Sequence, residues 1–542
     1  MRVRIFLDRH FHWILAFIFF VILWRWTSFL VPFIQIDVHD EAATIASAIG
    51  QEEYRFAPGY RLWYQLLSFL SGSRDLIFLN DVNTRLLLAL APSLLLLYLL
   101  LIRADFISIF LAIFTSTIAL AGMTPGNKNM QFVFVLLLTA FIIASQLQNP
   151  KGRLVVLAAI AACCFIRTEY ILSLGVMGFI VFRSMSIRMP RSIRNIIAFS
   201  IALIVIALSA SILSNEAQKS NSVGVFMLAN QLQYQDSLRR HIPNWDSVTA
   251  HIPDFDAKYG HPMTLLDAAT KNPRAFANHL AGSLWDAPFR THEDFIGNSR
   301  WTNPVWGMWL LALFYLALTI ATIKYRKMGI SPWVASQIKR EMLFEHFAMI
   351  AIPAAAVSFI YFAQFRYLLP VAMLAPALLI GWHLNVDLQP GLKRTFLVLL
   401  TLVFLIPPEP VLLFGPHWNS PVRDMTTLLS RVETSRKIRI LSLEYLGHLL
   451  PFEVDLIRPE PAKLTAFWTG MTPDLTRDFD VICDEPVLNR SLKLLGAKHA
   501  ALLEDLQKNP GHFGFSAYRL PGRESLVLYI RDGLLPATAT HN

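Results

Sequence analysis

A cluster of carboxylates follows the first long apolar segment of the chain. Asp37, Asp40 and Glu41 lie within five residues of one another, in the sequence Asp37-Val38-His39-Asp40-Glu41. Carboxylates this close repel one another, so one of them should hold its proton more tightly and act as a proton acceptor near neutral pH. The pattern suits a general base. It also suits simple capping of a following helix by Asp37 or Asp40, and both interpretations stay open.

Two short helices are predicted after this cluster. Between Asp40 and Ile49, apolar residues recur at the spacing of one helical face, and Thr44 and Ser47 share the face of Asp40. A Pro58-Gly59 break then precedes an aromatic-rich helix that ends at Gly72. Such a helix can lie along a membrane surface, so the carboxylates are expected beside the bilayer.

Long apolar segments must position these residues. The chain has 54% hydrophobic and only 16% charged residues, with a mean hydropathy of +0.46, whereas soluble domains carry about 25% charged residues. This composition argues against a soluble enzyme and predicts a polytopic helical membrane protein. We expect about eleven membrane spans, at residues 12–34, 86–102, 106–122, 131–148, 154–166, 171–183, 195–213, 303–323, 344–362, 367–384 and 395–414.

Basic residues in the short loops predict the orientation of these spans. They concentrate in alternate connections, and the net charge of +10 is therefore a topology signal rather than a nucleic-acid footprint. The N-terminus is expected in the cytoplasm and the C-terminus outside. Three longer segments then face the outside: residues 35–85, residues 214–302 and the tail. The cytoplasmic loops contain no Gly-rich phosphate loop, which disfavours chemistry driven by a cytosolic nucleotide.

The tail has the pattern of a small α/β domain. Strands are predicted at 437–443 and 480–484, a helix at 488–506, and a terminal hairpin at 516–530 with Pro521-Gly522 at its turn. We therefore expect two domains, a transmembrane domain at 1–414 and an outer α/β domain at 415–542.

The middle outer segment is rich in histidine. Its histidines are spaced about ten residues apart, which does not place metal ligands on one helix face, and surface positions are the favoured interpretation over a metal site. These residues are His241, His251, His261, His279 and His292.

Taken in order along the chain, these features resemble the GT-C superfamily of integral-membrane glycosyltransferases. They resemble especially the bacterial relatives of protein O-mannosyltransferases and of the aminoarabinose transferase that acts on lipid A. The resemblance covers nearly the whole chain. It consists of the Asp40-Glu41 motif, the helix with Pro58, Gly59 and Tyr64, the approach from Gly72 to Arg85, the sequence Arg366-Tyr367-Leu368-Leu369-Pro370, and the outer C-terminal domain.

This resemblance implies transfer of a sugar from a polyprenyl-phosphate donor to a glycan, lipid or protein acceptor at the outer membrane face, with inversion. Asp40 would be the general base, and Glu41 and Asp37 would orient the acceptor, hold a divalent metal or tune Asp40. His39, Tyr60 and Tyr64 are candidates for the acceptor pocket. Metal dependence is left open, and the expected partners are membrane lipids, the lipid-linked sugar and the acceptor, without nucleic acid. A bacterial inner membrane is the expected location.

The leaving phosphate would need cationic partners near the membrane surface. Arg366 is the leading candidate, with Tyr367 beside it, because an isolated ionisable residue between apolar segments is costly unless it has a role. Lys128 and Arg167 are further candidates. The alternatives are snorkelling of Arg366, a local ion pair for Arg167 and an ordinary loop position for Lys128. Residues 122–130 lack the second acidic residue that family members often carry in this loop.

Two other functions share this topology. A transporter or flippase of lipid-linked sugars should carry ionisable or Gly/Pro-broken positions at mid-span, and the spans here are mostly uninterrupted. A polysaccharide polymerase or ligase should have its essential residues in the middle segment, 214–302, rather than in the first outer segment.

Overall fold

Most of the described residues are helical, and the chain divides into two units. The first comprises Met1–Leu30, Arg55–Trp63 and Thr84–Pro416, and the second comprises Val31–Tyr54, Tyr64–Asn83 and His417–Asn542. The computed structural model describes residues 2–31, 40–50, 57–104, 106–121, 128–147, 151–186, 259–260, 265–282, 319, 323, 341–360, 370–371, 374, 389–403, 421–432, 436–441, 450, 454–457, 464, 467, 474–484, 488, 492, 497–520 and 523–535.

Helices dominate the described residues up to 432. They are α1 (Arg2–Leu30), α2 (Asp40–Ala48), α3 (Pro58–Ser71), α4 (Leu76–Leu101), α5 (Phe106–Ala121), α6 (Lys128–Gln146), α7 (Lys151–Cys164), α8 (Ile171–Ser186), α9 (Leu265–Lys271), α10 (273–282), α11 (Glu341–Ile360), α12 (Pro390–Val403) and α13 (Pro421–Leu429). The 3-10 turn Thr168–Tyr170 leads into α8.

Three of the described helices are long and apolar enough to cross a membrane. They are His10–Phe29 within α1, Leu76–Leu101 and Lys128–Gln146. Helices α5, α7, α8, α11 and α12 overlap further predicted spans but are shorter or less apolar. The spans predicted at 195–213, 303–323 and 367–384 fall almost entirely outside the described residues. Eleven spans therefore stay a prediction.

Polar contacts between apolar helices hold α11 in the first unit. Tyr98 on α4 hydrogen-bonds to the His346 ring at 2.7 Å, and Arg153 on α7 forms a bidentate ion pair with Glu345. Such contacts have a fixed geometry that nondirectional apolar packing lacks. They fix how α11 packs against α4 and α7.

The second unit contains a five-stranded mixed sheet. Its strands are β1 (Ile438–Leu441), β2 (Val454–Ile457), β3 (Val481–Asp484), β4 (Phe515–Leu520) and β5 (Arg523–Arg531), in the order β2-β1-β3-β5-β4. The strand β1 pairs in parallel with β2 and β3, and β5 pairs antiparallel with β3 and β4. The described helices of this segment include α13, α14 (Leu475–Asp478) and α15 (Ala497–Lys508).

The sheet buries the apolar side chains that the predicted strands supply. Phe479, Ile482, Phe515 and Tyr529 lie in a core that also takes leucines from α15. Beside this core, the buried Asp480 carboxylate accepts hydrogen bonds from two arginine side chains and one backbone N–H. The strands predicted at 437–443 and 480–484 and the terminal hairpin are present, which confirms a small sheet in this segment.

Candidate functional site

Helix α2 carries the acidic motif and is enclosed by protein along most of its length. It begins at Asp40, as the sequence predicts, and every residue from Glu41 to Ser47 is buried. The backbone of Asp40 is described and its side chain is not, and Asp37 and His39 lie outside the described residues. The first residue of α2 thus belongs to a short helix that neighbouring side chains surround.

Glu41 joins α2 to two other helices through a buried hydrogen-bonded cluster. Its side chain is 4% exposed, and the Tyr64 hydroxyl on α3 donates a hydrogen bond to its Oε1. The Asn83 amide on α4 donates to the same oxygen at 3.3 Å and to the Tyr64 hydroxyl at 2.7 Å. A buried carboxylate needs such donors, since burial without them is costly. Glu41 therefore anchors the start of α2.

Helix α3 places its two predicted pocket tyrosines on its buried side. Tyr60 is 1% exposed and Tyr64 is 0% exposed, and the two lie one helical turn apart. The Tyr60 ring packs against Phe132 of α6 at 5.5 Å between centroids, and Trp63 stacks on the same ring at 4.9 Å. The opposite side of α3 exposes Leu62, Leu66, Phe69 and Leu70, which suits a helix lying on a lipid surface. A pocket role for the tyrosines stays a prediction.

The first turn of α3 packs against the connection between α7 and α8. The Gly59 N–H donates to the Phe165 carbonyl at 3.0 Å. A Cβ at Gly59 would lie 2.8 Å from Cγ1 of Ile166 and 3.4 Å from the Phe165 oxygen, so a side chain there forces the two segments apart. The absent side chain at Gly59 allows this approach.

Substituting Gly59 should separate these segments. Gly59→Val is expected to lower the free energy of unfolding by about 1–3 kcal/mol, because it overpacks a close contact. Thermal unfolding of the purified protein in detergent measures this. Gly391→Val is the matched control in the first turn of α12, where a Cβ meets nothing within 4 Å. Equal shifts for the two variants would contradict the close contact at Gly59.

Arg167 lies in the same connection and forms an ion pair with a nearby carboxylate. Its Nε forms an ion pair with Glu169 at 2.8 Å, and the two side chains are 17% and 14% exposed. This is the local ion pair that the sequence offered as the alternative to phosphate binding. Next to it, burial raises the pKa of the Tyr170 hydroxyl well above its usual value, so this group stays protonated.

The first turn of α6 encloses several polar side chains. Lys128 is 2% exposed and Gln131 is 3% exposed, so the ordinary loop position considered for Lys128 is wrong. Oδ1 of Asn129 and Oε1 of Gln131 are buried and accept no hydrogen bond within the described part of the chain. Buried acceptors normally have donors, so these amide oxygens suit a ligand rich in hydroxyl groups.

Helix α4 supplies two site residues for which the sequence analysis proposed no role. Asn83 completes the cluster around Glu41. The Arg85 guanidinium lies over the Trp24 ring of α1, 4.3 Å from its centroid. The sequence feature that could have identified them is an amide and a guanidinium within a helix that is otherwise apolar enough to cross a membrane.

Most of the remaining predicted site residues lie outside the part of the chain that the structure describes. Arg366 and Tyr367 lie outside it, as do four of the five histidines. His279 is described and is 2% exposed, so the surface position expected for it is wrong. Its ring packs near Phe276 on α10. Within the described ranges, no group of three or more His, Cys, Asp or Glu could hold a metal ion.

The comparisons with known proteins add no relative to this picture: no family model matches the sequence, and no curated protein matches it.

Proposed function

We propose that this chain is an integral-membrane glycosyltransferase of the GT-C type. It transfers a sugar from a polyprenyl-phosphate donor to a glycan, lipid or protein acceptor. The observation that carries the proposal is the buried anchoring of α2 by Glu41, Tyr64 and Asn83. Such anchoring supports a fixed position for the carboxylate motif, and a fixed position is what a general base requires.

Asp40 is the base in this proposal. Its carboxylate takes the proton of an acceptor hydroxyl while the oxygen attacks the anomeric carbon from the side opposite the phosphate. The bond between the anomeric carbon and the phosphate oxygen breaks, and its electron pair leaves with the phosphate. The configuration at the anomeric carbon is thereby inverted. Glu41 acts through its hydrogen bonds on the position of α2, and Asp37 remains a candidate for orienting the acceptor.

The leaving phosphate gains negative charge and needs donors around it. Arg366 and Tyr367 are proposed for this role on their sequence positions. Lys128 stays a candidate because it is a buried ammonium at the start of α6, where helix dipoles also favour an anion. Arg167 is the weakest of the four, since Glu169 already neutralises it.

The proposed location is a bacterial inner membrane, with the N-terminus in the cytoplasm and Asp40 on the opposite side. Three helices that are long and apolar enough to cross a membrane support the membrane part of this proposal. The exposed apolar side of α3 supports a position of that helix at the lipid surface.

Lipid mass spectrometry of cells that lack the protein tests the proposed function. The deletion strain should accumulate one polyprenyl-phosphate sugar and lose one sugar from a glycan, glycolipid or glycoprotein, and the wild-type chain should reverse both changes. A strain in which no lipid-linked sugar changes would overturn the transferase. Accumulation of unpolymerised lipid-linked repeat units would instead identify a polymerase or ligase. Movement of the lipid-linked sugar across the bilayer of proteoliposomes that contain the protein would identify a flippase.

A further inference from the structure

Arg85 is a cation without an acidic partner among the described residues. It lies on α4 within the apolar range Leu76–Leu101. Its Nε is buried and donates no hydrogen bond in the part of the chain that the structure describes. By contrast, Arg153 pairs with Glu345 and Arg167 pairs with Glu169 in the same unit. Arg85 therefore differs from these arginines in having a charge that no described carboxylate neutralises.

The Trp24 ring of α1 lies beside this guanidinium. The central carbon of Arg85 lies 4.3 Å from the ring centroid, within the range of a cation–π contact. An aromatic face attracts the positive charge but accepts none of the in-plane N–H groups. A guanidinium covered in this way keeps its edge donors for a planar or tetrahedral anion. The contact with Trp24 therefore holds the guanidinium in place but accepts no hydrogen bond from its Nε–H.

Buried or membrane-embedded charges are costly unless something pairs with them. A phosphate group matches the fork of guanidinium donors better than a single carbonyl does, since two parallel N–H···O bonds can form. Both helices involved, α1 and α4, are apolar enough to cross a membrane. An anion carried on a lipid reaches such a position more readily than a soluble anion.

We propose that Arg85, stacked on Trp24, binds the phosphate of the polyprenyl carrier. The inference rests on the proposed function for the identity of the lipid, and it adds a phosphate ligand on α4 to the residues proposed from sequence. A membrane phospholipid carries the same chemistry in its headgroup, so the test must separate the two sources.

Binding of farnesyl phosphate to the purified full-length protein, measured by native mass spectrometry in detergent, tests the proposal. Arg85→Gln should weaken farnesyl phosphate binding at least about tenfold, because a charge-assisted hydrogen-bonded pair is lost. Binding of farnesol, which has no phosphate, should not change. Arg85→Lys keeps the charge but loses the fork, and it should give an intermediate affinity. Arg61→Gln on α3 is the matched control, an exposed arginine that loses the same charge.

Several results would overturn the proposal. Wild-type affinity in Arg85→Gln would do so, as would an equal loss in Arg61→Gln. If Arg85→Gln fails to fold, wild-type affinity in Arg85→Lys and in Trp24→Ala would do the same. If phosphatidylglycerol binds as tightly as farnesyl phosphate, and this binding also depends on Arg85, the ligand is a phospholipid headgroup rather than the carrier phosphate. A different outcome separates the two proposals. If farnesyl phosphate binding depends on Arg85 but the deletion strain shows no change in lipid-linked sugars, the phosphate site is supported and the transferase function is rejected.

Discussion

Asp40→Asn is expected to lower the rate of sugar transfer by about 10²–10⁴-fold while the protein stays folded. An amide has nearly the shape of a carboxylate but cannot take the proton of the acceptor hydroxyl, and general-base catalysis is worth about this factor. Asparagine and aspartate have similar helix propensities, so α2 should still begin at this residue. Initial rates in membranes that contain extracted lipid-linked donor measure the effect.

Asp75→Asn is the matched control for this substitution. Asp75 is exposed and caps α4, where its Oδ1 accepts the Phe78 N–H at 2.9 Å. The change removes the same charge from the same sequence segment, and the amide keeps the cap. Transfer should stay close to the wild-type rate. Equal losses in both variants would point to a general effect of charge, and full activity of Asp40→Asn would reject Asp40 as the base.

Glu41→Ala is expected to destabilise the protein by about 2–4 kcal/mol. The substitution removes the shared acceptor of the Tyr64 hydroxyl and the Asn83 amide and leaves a cavity in a buried cluster. Glu41→Gln should be milder, since its amide oxygen can still accept both hydrogen bonds. Thermal or denaturant unfolding in detergent measures the difference, and Glu504→Ala on the exposed side of α15 should change stability by less than about 0.5 kcal/mol.

The same variants separate positioning from catalysis. If Glu41 positions α2, Glu41→Gln should keep most of the transfer activity and the wild-type pH profile. Glu41→Gln and Tyr64→Phe should also be non-additive in a double-mutant cycle, because the two side chains share one hydrogen bond. A loss in Glu41→Gln as large as that in Asp40→Asn would make Glu41 the base and contradict the assignment.

Local sequence patterns were sufficient to predict many elements of the fold. Helical spacing after Asp40 predicted α2, a Pro-Gly break predicted the start of α3, and alternation with a Pro521-Gly522 turn predicted the hairpin. These features depend on near neighbours along the chain, which is why periodicity and turn chemistry report them.

The contacts between elements were beyond such patterns. Glu41 is 23 residues from Tyr64 and 42 residues from Asn83, and no local rule selects these partners. No role was predicted for Arg85, because a single cation barely lowers the hydropathy of a long apolar helix. His279 was expected at the surface from its spacing alone, yet the packing of its helix buries it. Burial and pairing depend on the tertiary arrangement, which one sequence does not display.

The most direct test of the central assignment is the lipid-linked sugar pool of deletion cells that carry either Asp40→Asn or Asp75→Asn at equal protein levels. If Asp40 is the base of a polyprenyl-phosphate-dependent transferase, cells with Asp75→Asn will clear the accumulated donor. Cells with Asp40→Asn will retain it at the level of the deletion strain. Clearance of the donor by Asp40→Asn, or a donor pool that the deletion never changes, would contradict the assignment.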